Sequence, residues 1–210
     1  MNPRLPRILL LATAAFLAAL LGARALMPGR SAPPVLERAV WLPGGSPLPE
    51  VAFVDESGAP FDARRLQGRW TYVFFGFASC PDICPTTLAT LAAVGKALRD
   101  LPTELHPDVL LVTVDPSRDD ATRLAPYVRH FDPAFHAVTG DEANLARLAS
   151  ALGAAYARVP LAAGGYRMDH TSSLFLIGPD GRLAATSGGP HDAEVIARDF
   201  RVLVARGAAN

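Results

Sequence analysis

Two runs of the chain, residues 70–77 and 109–114, are apolar almost throughout. A strand with one face in water alternates apolar and polar side chains. A continuous apolar run this short therefore marks a strand buried on both faces. Buried strands need helices over them, and the intervening segments have helical spacing. Residues 81–98 place Leu88, Leu91 and Val94 on one side, and helices are expected at 118–129, 141–152 and 192–205. Asp141 or its neighbour is placed to cap the helix at 141–152. Residues 172–177 and 182–186 flank the turn Gly178-Pro179-Asp180-Gly181 and read as an antiparallel hairpin. A shorter strand at 51–54 runs into the turn Asp55-Glu56-Ser57-Gly58.

Strands alternating with helices, closed by a hairpin and a last helix, give an α/β layer structure with an antiparallel edge. The order fits a thioredoxin-like fold: a central mixed sheet flanked by helices, with extra helices between the second and third core strands. Fold alone does not assign function.

Before this domain lies a different kind of sequence. Arg4 and Arg7 precede an uncharged apolar run at 8–23. Positive residues ahead of such a run retain that end in the cytoplasm and send the remainder of the chain across the membrane. Continued to Met27 it has the length of a spanning helix, so residues 1–27 read as a membrane anchor. Ala23-Arg24-Ala25 also resembles a signal-cleavage site, and a cleaved signal is the competing reading. Either one exports the rest, in a bacterial context to the periplasm. Residues 28–49, rich in proline and glycine, read as a linker, and residues 50–207 as the domain. Basic and acidic residues number 20 each, so the zero net charge gives no reason to expect nucleic acid as a partner.

The chain has two cysteines, Cys80 and Cys84, directly after the first buried run. In an exported protein the ordinary reading is a structural disulfide. Pro81 suits a first helical position, which would put Cys80 at the N-cap and Cys84 one turn on. Cβ atoms so spaced lie roughly 5–6 Å apart, whereas a relaxed disulfide wants about 3.5–4.5 Å. A metal ion with metal–sulfur bonds near ~2.3 Å bridges such a pair more easily. A helix N-terminus also favours the thiolate form that metal binding requires. Two sulfurs are too few for a closed structural zinc site, while thiolates with an imidazole suit copper.

Five histidines compete for the third position. His106 lies in a loop, His130 at a helix end, His136 at a strand start and His191 at the start of the last helix. Each has an ordinary structural reading. His170 stands out by context: it comes after an irregular segment around Gly164-Gly165 and directly precedes the strand at 171–177. In a thioredoxin-like sheet that strand start lies beside the cysteine-bearing helix. A core or surface role is open to it as well.

The segment Phe75-Gly76-Phe77-Ala78-Ser79-Cys80-Pro81-Asp82-Ile83-Cys84-Pro85 resembles the metal-site segment of the Sco/SenC family of copper proteins. Val114-Asp115-Pro116-Ser117-Arg118-Asp119 and Asp169-His170-Thr171 resemble later signatures of the same family, in the expected order. One departure is Asp120, where a threonine is common. The resemblance implies a copper site made by Cys80, Cys84 and His170 and a single N-terminal membrane anchor. It also implies a role in maturing the dinuclear copper centre of cytochrome c oxidase. Asp115 and Asp169 are expected to support the site, since ligand imidazoles need an oriented partner.

The expected function is a copper metallochaperone whose partner is the copper-binding subunit of the oxidase, with a further periplasmic copper chaperone or thiol reductant as a second partner. The alternative is a thiol–disulfide reductase using Cys80 and Cys84 as a redox pair on that subunit, although such enzymes usually carry C-x-x-C. A copper sensor or buffer would use the same residues.

Overall fold

In the computed structural model the described residues are 33–207, together with Thr13 and Phe16. The strands and helices of the domain all belong to the compact unit Pro34–Asn210. Apart from Thr13 and Phe16, the expected anchor lies outside the described residues, among which no helix is long and apolar enough to cross a membrane.

The two apolar runs form adjacent parallel strands. All six residues of β4 (Thr71–Gly76) are buried, and β5 (Asp108–Thr113) is buried beyond its first residue. They pair in register from Thr71↔Asp108 to Gly76↔Thr113. Around them grows a mixed eight-stranded sheet of order β1-β10-β9-β4-β5-β6-β2-β3. Its other members are β1 (Val40–Trp41), β2 (Ala52–Asp55), β3 (Pro60–Asp62), β6 (His136–Thr139), β9 (Leu174–Ile177) and β10 (Leu183–Ser187). β6 continues the parallel pairing beside β5, whereas β9 runs antiparallel to β4 and to β10. This is the thioredoxin-like core.

Helices α1 (Ile83–Ala97), α2 (Ala121–Arg129), α3 (Glu142–Leu152) and α4 (Ala193–Gly207) cover the sheet. α1 buries Cys84, Leu88, Leu91 and Val94, the stripe expected from its spacing, and packs against α4. Phe200 of α4 is wholly buried with its ring 5.9 Å from those of Trp70 and Tyr72. Each such side chain contributes about 1.5–3 kcal/mol by leaving water.

Four local details differ from expectation. α1 begins at Ile83 rather than Pro81, so Cys80 lies outside the helix, in the turn that leads into it. α2 begins at Ala121 because the amides of Arg118 and Asp119 fold back on the Asp115 carbonyl, both at 3.0 Å. Asp120, the departure from the family pattern, accepts from the Arg123 amide at 2.9 Å and so caps α2, as a threonine also can. Part of the proline-rich segment read as linker is docked on the domain. The amides of Glu37, Arg38 and Ala39 donate to the buried Asp199 carboxylate at 2.7, 3.0 and 2.8 Å, and β1 then pairs with β10.

The last difference bears on the site. The segment read as irregular, 160–166, is the connection of a β-hairpin, β7 (Tyr156–Pro160) and β8 (Tyr166–His170), paired as a separate two-stranded sheet. Gly164 and Gly165, at φ of 86° and 76°, supply its turn.

Candidate metal centre

The cysteine side of the site is built by the end of β4. Phe77 closes a turn in which its carbonyl accepts from the Cys80 amide at 3.1 Å. The chain then enters α1, and the Cys84 amide points back at Cys80 Sγ, 3.4 Å away. Cys84 is buried and Cys80 half-buried, and both are free thiols. Gly76 lies directly beneath Cys84. A Cβ placed there would meet Cys84 Sγ at 3.0 Å, Phe74 at 2.8 Å and Leu111 at 3.0 Å, so only glycine lets the sulfur settle onto the sheet.

Asp119 holds this turn from the neighbouring loop. It is buried, and its Oδ2 accepts from the Ala78 amide at 2.9 Å and from Thr113 Oγ1 at 2.7 Å. Arg123 fixes the adjacent residue by donating to Ser79 Oγ at 2.6 Å. Sequence reasoning assigns neither Asp119 nor Arg123 to the site. The one signal for Asp119 is its place at the end of the Asp115–Asp119 signature.

His170 arrives from the other side, as the last residue of β8. Its Nε2 lies 3.3 Å from Cys84 Sγ, and its Nδ1 is 3.0 Å from the Thr171 carbonyl. A carbonyl only accepts, so Nδ1 carries the ring proton and Nε2 turns its lone pair to the sulfurs. Phe74 and Phe77 pack edge-on against the imidazole at 5.9 and 5.8 Å and fix its plane.

The supporting residues divide. Asp169, expected to orient the imidazole, instead pairs with Arg167 at 2.9 Å on the exposed face of β8. Successive strand residues point to opposite faces, so Asp169 and His170 turn away from each other. The Thr171 carbonyl does the orienting. Asp115 is fully buried but stands off the donors, accepting from the Tyr166 hydroxyl at 2.9 Å and pairing with Arg118. The other histidines lie elsewhere: His106 meets the Leu101 carbonyl, His136 meets Glu56, His191 meets the Ser172 carbonyl, and His130 ends α2.

The two thiols are not equivalent. Hydrogen bonds, the largest of them from Cys84, outweigh burial and bring the Cys80 thiol down to about 4. The same bond, together with burial, pushes Cys84 far up. At neutral pH the pair therefore holds one thiolate, at Cys80, and one proton, at Cys84.

The donor atoms of Cys80, Cys84 and His170 all lie within 4.8 Å of one another, and they form the one such cluster among the described residues. Two sulfurs on opposite sides of one ion, with bonds near ~2.3 Å, are about 4.6 Å apart. Small movements therefore suffice to bring all three onto one soft ion.

A model of the SCO1/SenC family matches residues 49–205. The chain is 38% identical over 144 residues to a putative copper-binding protein of Stutzerimonas stutzeri, an alignment covering 68% of this chain and 69% of that one. Among solved structures it is similar to Bradyrhizobium japonicum ScoI with copper bound, at 29% identity and a TM-score of 0.66, covering 74% of this chain and 98% of that one. The Arabidopsis thaliana ScoI structure, 24% identical, shares the fold at a TM-score of 0.72, covering 77% and 99% of the two chains.

Proposed function

The chain belongs to the SCO1/SenC family, and from that premise we propose that it is a copper carrier that delivers its ion to the dinuclear copper centre of cytochrome c oxidase. The observation that carries this reading is the convergence of Cys80, Cys84 and His170, three residues from two separate parts of the fold, on one small volume. Two thiolates with a neutral imidazole form a donor set suited to copper. The copper-bound Bradyrhizobium relative supports that choice of ion.

Copper(I) is the cargo. Cys80 offers a ready thiolate, Cys84 releases its proton to solvent as it binds, and His170 completes the set through Nε2. Transfer is ligand exchange without electron transfer: donors on the oxidase subunit replace the three in turn. Half-exposed Cys80 is the donor an acceptor reaches first. The apolar run at 8–23 supports an inner-membrane anchor that keeps the domain in the periplasm, where the acceptor subunit and a donating chaperone or thiol reductant would be met.

A second reading draws on the same asymmetry. A half-exposed, low-pKa thiolate above a buried thiol is the arrangement of an attacking and a resolving cysteine. A thiol–disulfide reductase would attack a partner disulfide through Cys80 and be released by Cys84, and it would not need His170.

The deciding test compares the reduced protein with its His170→Ala variant. A carrier binds one copper per chain, shows a thiolate-to-copper(II) band that the variant loses, and is required with His170 for oxidase activity in cells. Unchanged copper binding and unchanged oxidase assembly in the variant would refute the carrier and favour the reductase.

A further inference from the structure

The hairpin that carries His170 shares no hydrogen-bonded ladder with the eight-stranded sheet. Something other than the sheet must seat it against the cysteines. At the far end of β8 the Tyr166 ring lies between two guanidinium groups, with Arg118 4.1 Å and Arg158 4.2 Å from its centroid. The Tyr166 hydroxyl donates to Asp115 Oδ1 at 2.9 Å. Arg118 pairs with the other oxygen of that carboxylate and reaches the Tyr166 carbonyl at 3.4 Å. From β7, Arg158 donates to Ser117 Oγ at 2.7 Å. Both strands of the hairpin are thus fastened to the single loop that leaves β5.

This fastening points at the metal centre by two routes. Tyr166, Met168 and His170 lie on one face of β8, because strand side chains alternate with period two. Met168 between them is buried in the core, so a tilt at Tyr166 is carried to the imidazole. Arg118 also lies 5.9 Å from the centroid of the Phe77 ring, which packs on His170. Asp115, wholly buried, anchors the whole stack to the end of β5.

We infer that the Asp115–Arg118–Tyr166–Arg158 stack positions His170 against Cys84 and so sets how readily the third donor withdraws during transfer. This rests on the carrier reading of the site. None of the four touches the donor atoms, and all act through the imidazole, which makes them positioning residues.

The test is a double-mutant cycle on the full chain. Copper(I) affinity is measured by competition with a chelator, and the copper(II) form by its visible and electron-spin spectra. Tyr166→Ala is compared with Tyr166→Phe, which keeps the stacked ring and loses only the bond to Asp115. Each is made alone and together with His170→Ala. Loss of supporting contacts around a metal ligand costs roughly 10- to 100-fold in affinity, and that is the expected loss in Tyr166→Ala, with a smaller loss and a shifted copper(II) spectrum in Tyr166→Phe. In the His170→Ala background both changes should shrink to about twofold or less. A Tyr166→Ala loss that persists without His170, or no loss with it, overturns the positioning role and leaves the three-donor site standing. A His170→Ala variant with unaltered affinity and spectrum overturns both.

Discussion

The cysteine side and the histidine side of this centre are built differently. Cys84, in the first turn of α1, stands over Gly76 of the wholly buried β4, and half-buried Cys80 lies in the turn just before it. His170 stands on a hairpin fixed by side chains, with half-buried and exposed residues along most of both strands. A carrier gains from that division. Two donors on a rigid base retain the ion, while a third on a more weakly held element can leave without disturbing the core.

The comparison can be broken most directly at its rigid half. Cys84→Ala should weaken copper(I) binding by more than roughly 100-fold, beyond the range for outer supporting partners, whereas His170→Ala leaves a weaker two-thiolate site. Chelator competition on both variants checks the ranking, and equal losses would mean that the two sides contribute alike. Next comes Gly76→Ala. The added methyl overpacks Phe74, Leu111 and the Cys84 sulfur, with an expected destabilisation of about 1–3 kcal/mol. Urea unfolding measures that loss, and copper affinity should fall with it.

The asymmetry within the cysteine pair predicts a pH signature. With Cys80 down at about 4, it is already ionised at any higher pH. Its alkylation rate in the apo-protein should then be nearly flat between about pH 5 and pH 8, while an ordinary thiol near ~8.5 would speed up by orders of magnitude. Cys84, pushed up, stays protonated in that window and must give up its proton on loading. Copper affinity should therefore rise with pH by about tenfold per unit, one proton per ion rather than two. Mass-spectrometric alkylation and titration in buffers of differing protonation enthalpy read these out separately. The smallest effect is expected at Asp169→Asn. Its ion pair with Arg167 is exposed on both partners, where water screens it and little stability is at stake, so copper affinity should stay within about twofold. A larger loss would place Asp169 in contact with the imidazole after all.

The same two regions differ in how legible they are in the sequence. Continuous burial of β4, the Leu88–Leu91–Val94 stripe of α1 and the Asp141 cap of α3 arise from residues a few positions apart, and each is readable. The hairpin is not. β7 has no clean alternation of buried and exposed residues, β8 alternates over only five residues, and Gly164-Gly165 reads as a loop when it is a turn. Without β8, the phase of Asp169 relative to His170 is hidden too. Likewise, proline and glycine around residues 43–49 mask a segment whose amides are gathered by Asp199, some 160 positions away.

By itself, then, the sequence determined the α/β core, the placing of two cysteines at a strand-to-helix junction and, through family resemblance, a histidine to join them. Tertiary structure decided that Cys80 lies outside α1 and holds the thiolate, that the Thr171 carbonyl sets the imidazole tautomer, and that Asp115 and Arg118 grip the hairpin at Tyr166. The division has a physical cause. Strand and helix periods are local, set by steric and hydrogen-bond rules within a few residues. Cys84 and His170 are 86 residues apart, and their separation is fixed only when distant elements pack.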